Sequence, residues 1–204
     1  MMKLLQIHPQ NPQNRLIEQA ADAINRGAVA VIPTDSCYAL ACHLDDKSSV
    51  DKIRAIRQSD KNHKFTLICE DLSQISEFAK VDNESFRILK NNTPGAFTFI
   101  LKATGEVPKR LMHPKRKHIG IRVPNNNIIQ ALLHKLDAPL MSCSFILPDT
   151  DRTIDDIDSL PPIYQPKIDL IIDGGICQKQ PSTVVHLENN EVQISRHGLS
   201  KLIV

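Results

Sequence analysis

The spacing of apolar residues along the chain predicts helices and strands that alternate from one end to the other. Apolar positions three or four residues apart indicate helices at 15–26 and 126–136. Asp71 and Asp82 are good N-caps for helices near 72–79 and 83–91, and a Ser48–Asp51 capping box predicts the start of another helix. Short apolar runs predict strands at 28–32, 65–69, 97–101, 119–123, 139–144, 168–172, 183–187 and 192–196. The stretch 148–167, rich in Asp and Pro, is predicted to be a long loop. Such mingling of strands with helices favours a layered domain of sheet and helices.

Composition narrows the class of protein without naming a function. A chain of 204 residues, 41% hydrophobic and 24% charged, has ordinary globular composition and suits one domain. The five cysteines are odd in number and form no C-x-x-C pair, which is typical of a reduced cytosolic protein. The first ten residues lack the apolar segment of a signal peptide, and no apolar run approaches the ~20 residues of a membrane span. We therefore expect a cytoplasmic protein without a membrane partner.

Hydroxyl and arginine side chains collect at the ends of predicted strands. The segment 33–40, PTDSCYAL, follows a buried strand, where the loops of layered sheets gather ligands. Arg122 interrupts the apolar strand 119–123 and needs an anionic partner, which is either a ligand or a structural aspartate. The other polar positions of this kind are Ser142, Ser144, Ser182 and Arg196. Hydroxyl donors with the planar arginine fork suit phosphate recognition, although each residue alone also fits a structural role.

A dense basic stretch lies between two predicted strands. Its cationic residues are Lys109, Arg110, Lys115, Arg116 and Lys117. Such a cluster could contact RNA phosphates, or it could be a solvated loop.

The chain lacks the phosphate-binding loop G-x-x-x-x-G-K-[ST], the dinucleotide motif G-x-G-x-x-G and the zinc motif H-E-x-x-H. No histidine spacing suggests a metal site, and Cys143 reads as a buried strand thiol rather than a nucleophile.

Six motifs in a fixed order resemble the YrdC/YciO family. They are PTDSCYAL, PGAFTFIL, IGIRVP, MSCS, IIDGG…PSTVV and ISRHG, and the resemblance covers about residues 14–198. The stretches IRQ…HKFTLICEDL, VDNESFRILKNNTPGAFTFILK and KRKHIGIRVP are most similar to the YciO branch. The resemblance implies one α+β domain over 1–204, with a twisted, mixed, mostly open sheet, flanking helices and a basic concave face.

The resemblance also implies ligands and residue roles. Members similar to YrdC make threonylcarbamoyl-adenylate from threonine, bicarbonate and ATP with Mg²⁺, for tRNA modification, and members are also described as binding double-stranded RNA. The reaction brings several negative charges together, so positioning and electrostatics dominate. By resemblance, the amino-acid and carbamate pocket is lined by Thr34, Ser36 and Tyr38, with Thr98 and Arg122 along it. The groups implied for phosphate or nucleotide are Arg57, Ser142, Ser144, Ser182 and Arg196.

The chain departs from the synthase pattern at two motifs. The K-x-R motif of synthases reads Arg57-Gln58-Ser59, which keeps one cation, and Lys61 or Lys64 could replace the second. The S-x-N motif reads Ser144-Phe145-Ile146, so an apolar side chain stands where the amide would be. Losing a charge that meets a developing phosphate charge costs on the order of several kcal/mol of transition-state stabilisation.

Three hypotheses follow from these observations. The leading one is a nucleotide-binding and double-stranded-RNA-binding protein of tRNA or RNA metabolism. The second is an active threonylcarbamoyl-adenylate synthase. The third is a related ligase or hydrolase that acts on another small carboxylate.

Overall fold

The computed structural model describes residues 2–58, 65–112, 117–148, 150, 152–188 and 191–204. The strands in this part of the chain are β1 (Lys3–Gln6), β2 (Ala30–Ile32), β3 (Ala39–His43), β4 (Thr66–Ile68), β5 (Phe97–Lys102), β6 (His118–Arg122), β7 (Leu140–Ser144), β8 (Leu170–Asp173), β9 (Thr183–Glu188) and β10 (Glu191–Arg196). The helices are α1 (Asn14–Asn25), α2 (Lys47–Arg57), α3 (Leu72–Phe78), α4 (Asn83–Asn92) and α5 (Asn127–Leu136). None of these helices is long and apolar enough to cross a membrane.

All the described strands join one mixed sheet. Their order is β1-β8-β2-β3-β7-β4-β6-β5-β9-β10. Neighbours are parallel at β1–β8, β2–β8, β4–β6 and β5–β9, and antiparallel at β2–β3, β3–β7, β4–β7, β5–β6 and β9–β10. The sheet is open, because β1 and β10 lie at its two edges. The predicted mixed, open sheet with flanking helices is therefore confirmed.

The helix starts follow from side-chain caps. Asp71 accepts a hydrogen bond from the Gln74 amide at 2.9 Å, and Asp82 accepts one from the Ser85 amide at 2.8 Å, as the sequence predicts for α3 and α4. The predicted Ser48–Asp51 capping box is wrong. Asp46 caps α2 instead, and its carboxylate accepts from the Ser49 amide at 3.1 Å.

Two strands and two short helices lie where the sequence predicts none. The strands are β1 and β3, both of which pair within the sheet. The start of β3 is predicted as a loop, because alanine is a weak strand former and two of the five β3 residues are alanine. The stretch 148–167 is also predicted as a loop, but it contains 3-10 helices at Ile157–Ser159 and Pro162–Lys167.

The sheet has two faces, and the second of them is only partly covered by helices. On the first face, strand residues such as Phe99, Leu101 and Ile121 join one large apolar core. On the second face, α1 and α5 pack over the strands near β1 through aliphatic side chains such as Ile17 and Leu132. That second core ends at β4. Beyond it, no described helix covers the second face of β6, β5 and β9, and this open half-face forms the floor of a cleft.

Candidate anion-binding site

The open half-face carries a cleft of about 290 Å³, named here the arginine cleft. Its floor alternates along the strands, because side chains two residues apart share a face. Thr98 and Ile100 thus stand together on β5. The lining residues are Ala39, Arg57, Phe65, Thr66, Thr98, Ile100, Arg122, Ser142, Cys143, Ser144, Ile146, Val184 and Arg196. The cleft therefore brings together six of the ten predicted ligand-site residues, namely Arg57, Thr98, Arg122, Ser142, Ser144 and Arg196.

Arg122 is a buried cation at the end of β6. Its Nη2 donates to Asp35 Oδ1 at 2.6 Å and to Ser36 Oγ at 3.1 Å. A structural aspartate, one of the two partners expected for this arginine, is therefore present. The Arg122 Nε is also buried, and it has no hydrogen-bond partner among the described residues. A buried donor without an acceptor is costly, so an additional acceptor in the cleft would be favourable.

Two more arginines reach the same cleft from other elements. Arg57, the last residue of α2, donates through Nη1 to the Ile146 carbonyl, and its buried Nε has no partner in the described part of the chain. Arg196 at the end of β10 donates through Nε to the Ser182 carbonyl at 3.0 Å and through Nη2 to Ser182 Oγ at 3.2 Å. Burial lowers the pKa of Arg196, and the Arg122 charge lowers it further. Repulsion between guanidinium groups is relieved when an anion lies between them.

Hydroxyl groups and a glycine complete the floor. The Thr98 and Ser182 hydroxyls are 2.7 Å apart, which ties β5 to the start of β9, and Ser182 is itself buried. Ser142 donates to the Thr66 carbonyl at 3.1 Å. Gly120 lies between these strands, where an added Cβ would stand 2.9 Å from Thr66 Oγ1 and 3.3 Å from Thr98 Cγ2. Gly120 is buried, and the missing side chain lets Thr66 and Thr98 pack closely together on the floor.

Four of the ten predicted residues do not line the arginine cleft; Ser182 is buried behind it, and the other three are Thr34, Ser36 and Tyr38. Tyr38 is fully buried, and its hydroxyl donates to the Gly175 carbonyl at 2.7 Å and accepts from the Gly174 amide at 3.1 Å. Its phenol therefore anchors the end of β8. Thr34 donates to the Cys37 carbonyl at 2.7 Å and thereby stabilises its own turn, while lining a neighbouring cavity of about 420 Å³. Ser36 is fully buried and meets the cleft only through Arg122.

The thiols near the cleft are not activated. Burial raises the pKa of Cys143 to about 12, although the nearby Arg57 charge opposes the rise. Burial also raises the pKa of Cys37, again against the charge of Arg122. Since the thiolate is the nucleophile, both residues are inert at neutral pH. This agrees with the interpretation of Cys143 as a buried strand thiol.

The predicted RNA-binding cluster is only partly described. Lys109 and Lys117 are exposed. Arg110 is half-buried, and its Nη2 donates to the Leu44 carbonyl at 3.1 Å. Its guanidinium group therefore contacts another chain segment of the protein itself. Lys115 and Arg116 lie outside the described residues, as do Ser59, Lys61 and Lys64 of the altered synthase motif.

Sequence reasoning missed the apolar part of the cleft. Phe65, Ile100 and Val184 line it beside the hydroxyls, and Thr66 lies on its floor. Alternation within the strands could have indicated Ile100 and Val184, since each is two residues from a hydroxyl of the set, Thr98 or Ser182. Ile146, which by resemblance stands at the amide position of the synthase motif, also lines the cleft and adds to its apolar wall.

The fold and the site define an α/β-layered protein in which the open half of a mixed sheet carries a cationic cleft. The chain belongs to the Sua5/YciO/YrdC family. The model of that family, whose description reads "Telomere recombination", matches residues 22–198. All six sequence motifs that resemble the family fall wholly within this range.

Known relatives agree in sequence and in structure. The chain is 47% identical to the Escherichia coli protein YciO over 199 residues, which cover 98% of this chain and 97% of YciO. The crystal structure of E. coli YciO superimposes with a TM-score of 0.94 over 98% of each chain. P. abyssi Sua5 complexed with L-threonine matches with a TM-score of 0.88 at 21% identity, over 97% of this chain and 58% of Sua5. Full-length HypF in its phosphate- and nucleotide-bound form gives 0.77 at 19% identity, over 89% and 24% of the two chains.

Proposed function

We propose that this protein binds a nucleotide, with ATP as the reference ligand, through its phosphates in the arginine cleft. The observation that carries the proposal is the imbalance of charge. Arg57, Arg122 and Arg196 line the cleft, and Asp35 is the one carboxylate that pairs with any of them among the described residues. Unpaired guanidinium groups in a partly buried site call for an anion.

The donor set suits phosphate better than it suits a metal. The lining has hydroxyl and guanidinium donors but no Asp or Glu side chain among the described residues. Asp35 itself is engaged by Arg122 and by the Asn125 amide, which donates to Oδ2 at 2.8 Å. Mg²⁺ would therefore enter as part of the nucleotide, held by phosphate oxygens. The apolar wall that includes Phe65 and Ile146 would pack against the ribose or the base.

The relatives support the nucleotide as the ligand class. The HypF structure contains phosphate and nucleotide, and the Sua5 structure contains L-threonine. Both share the fold of this chain at low identity, so they motivate the ligands to be tested. Family membership supports a role in nucleotide or RNA chemistry at a coarse level.

The test is calorimetric titration of the protein with ATP, ADP, AMP and pyrophosphate, with and without Mg²⁺. Arg196→Ala should weaken ATP binding about 10- to 100-fold, because a hydrogen bond to a charged group contributes roughly 1.5–3 kcal/mol. Arg87→Ala is the matched control, since Arg87 is exposed on α4. Equal ATP affinity in the two variants, or no ATP binding by the unaltered protein, would refute the proposal.

A second candidate is threonylcarbamoyl-adenylate synthesis at the same cleft. The residues that favour it are Thr98, Arg122, Ser182 and Arg196, which contact one another or line the cleft together. Ile146 opposes it, because its side chain cannot donate a hydrogen bond. The test is pyrophosphate release from ATP, with threonine and bicarbonate omitted in turn. Ile146→Asn together with Ser59→Arg should increase release, and no gain in the double variant would count against this chemistry.

The proposal extends to RNA binding by the basic stretch between β5 and β6. Lys109 and Lys117 are exposed there and carry charge that phosphate groups can neutralise. Double-stranded RNA is the partner expected from the sequence, and salt-sensitive binding of a short duplex tests it. Alanine substitution of Lys115, Arg116 and Lys117 together should weaken that binding, and duplex affinity unchanged by the triple substitution would reject it.

A further inference from the structure

A second basic cavity lies beyond the arginine cleft. Its volume is about 730 Å³, and it is named here the lysine groove. The groove combines Lys109 and Lys117 with Lys80 and Lys102, which no sequence motif groups with them. The remaining lining residues are Ala103, Thr104, Gly105 and Met112.

The four lysines have no compensating charge in the described part of the chain. All four are exposed, and none forms an ion pair or a side-chain hydrogen bond with another described residue. The described lining of the groove contains no carboxylate. Like charges around one cavity repel, and a polyanion that neutralises them also releases its own counterions.

The backbones of three of the four lysines, Lys80, Lys102 and Lys117, are held by pairing between chain segments. The Lys80 amide donates to the Lys102 carbonyl at 2.8 Å, and the Ala103 amide donates to the Lys117 carbonyl at 2.8 Å. The Thr104 amide donates to the Phe78 carbonyl at 3.0 Å. Three chain segments are thus tied together, so the backbone positions from which these lysines extend are fixed relative to one another.

The groove and the arginine cleft lie on the same face of β5. Thr98 and Ile100 line the cleft, and Lys102, two residues further along the strand, lines the groove. Lys102 is four positions beyond Thr98, which is roughly 13 Å along a strand. Ile100 and Gly120 lie opposite each other between the two sites.

We infer that the two sites bind one RNA strand, with backbone phosphates in the lysine groove and the terminal nucleotide in the arginine cleft. This inference rests on the proposed nucleotide binding and specifies its ligand as the end of a strand. A cleft of about 290 Å³ has room for one nucleotide but not for a base pair. A single-stranded end therefore fits the two sites better than the double strand expected from the sequence.

The experiment measures binding of a fluorescent, 5′-phosphorylated ten-nucleotide RNA by anisotropy over a range of salt concentrations. Lys102→Ala with Lys117→Ala should weaken RNA binding about tenfold or more. The double variant should also reduce the slope of log affinity against log salt by about 1.4, at ~0.7 per lost phosphate contact on a single strand. The matched control is Lys90→Ala with Lys201→Ala, which removes the same charge from exposed positions elsewhere. Equal losses in the two double variants would overturn the inference.

Competition shows whether one strand occupies both sites. Saturating ATP should displace the RNA, Arg196→Ala should weaken RNA and ATP binding together, and a hairpin without a free end should bind more weakly. RNA binding that requires the lysines but ignores both ATP and Arg196→Ala would contradict the shared strand. If free ATP does not bind, while RNA binding requires both the lysines and Arg196, the inference stands and the proposed binding of free nucleotide fails.

Discussion

Arg122 and Asp35 form a buried ion pair, with Arg122 Nη2 donating to Asp35 Oδ1 at 2.6 Å. Asp35 Oδ2 accepts from the Asn125 amide at 2.8 Å, so one carboxylate joins the turn after β2 to the turn after β6. The side chains are 5% and 10% exposed for Arg122 and Asp35. The pair therefore fixes the direction in which Arg122 presents its remaining donors to the cleft.

Asp35→Ala should lower the free energy of unfolding by about 3–5 kcal/mol, because it leaves a buried guanidinium unpaired. Urea denaturation measures the change. Asp45→Ala on an exposed loop is the control and should stay within about 0.5 kcal/mol of the parent. Adding Arg122→Met to Asp35→Ala should recover much of the loss, since no buried charge remains. A loss equal to that of the control would mean that the ion pair does not stabilise the fold.

Gly120→Ala should weaken ATP binding about tenfold while the protein stays folded. The new methyl group would stand 2.9 Å from Thr66 Oγ1 on the cleft floor, and such overpacking costs roughly 1–3 kcal/mol. Titration calorimetry gives the affinity, and thermal denaturation gives the stability. Gly105→Ala is the matched control, because an added Cβ there meets nothing within 4 Å. Unchanged affinity in Gly120→Ala would show that the ligand does not contact the floor.

Asn92→Ala should lower the free energy of unfolding by about 2–3 kcal/mol. Its buried amide nitrogen donates to the Ile88 and Ile203 carbonyls at 2.7 Å, and its oxygen accepts from the Ile203 amide at 2.9 Å. The substitution removes the side-chain partners of the Ile203 amide and carbonyl, and an unpaired backbone group costs about 1–3 kcal/mol where it is buried. Asn91→Ala, at the exposed neighbouring position, is the control for urea denaturation and for proteolysis of residues 198–204. Similar stability of the two variants would contradict the interpretation that Asn92 holds the segment around Ile203 against α4.

Stability should fall above pH 9, in part because of Cys143. Its pKa is raised from 9.0 to about 12 by burial, so the folded state keeps the proton where the unfolded state loses it. The stabilisation is complete below pH 9 and is lost as the pH rises toward 12. Between about pH 7.5 and about pH 10 the parent should lose about 1 kcal/mol more than Cys143→Ala. Urea denaturation of both proteins at both pH values gives this difference, and an equal loss in both would contradict the assignment.

Local patterns predicted most of the sheet and its helices, because apolar spacing and aspartate caps act over a few residues. The caps at Asp71 and Asp82 are examples. The Asp46 cap was missed because its neighbours, Ser48 and Asp51, also match a capping pattern. Strand β3 was missed because its alanines are weak strand formers that pairing with β2 and β7 stabilises.

The candidate site was only partly predictable, because it depends on which strands become neighbours. Motif order indicated Arg122 and Arg196, and the structure places both in one cleft. The order of motifs could not show that the Tyr38 hydroxyl would bond to Gly175 rather than line the cleft, because these two residues are 137 positions apart in the sequence. The lysine groove could not be predicted from the sequence either, because Lys80 and Lys102 come together only through tertiary hydrogen bonding.

The half-covered sheet separates residues that maintain the fold from residues that select a ligand. Side chains such as Phe99 and Ile121 face the core, so their replacement disturbs packing. Their neighbours Ile100 and Arg122 line the arginine cleft instead. A few substitutions on alternate positions could therefore change the ligand while the scaffold persists. For this reason one architecture can diversify into proteins with different chemistry.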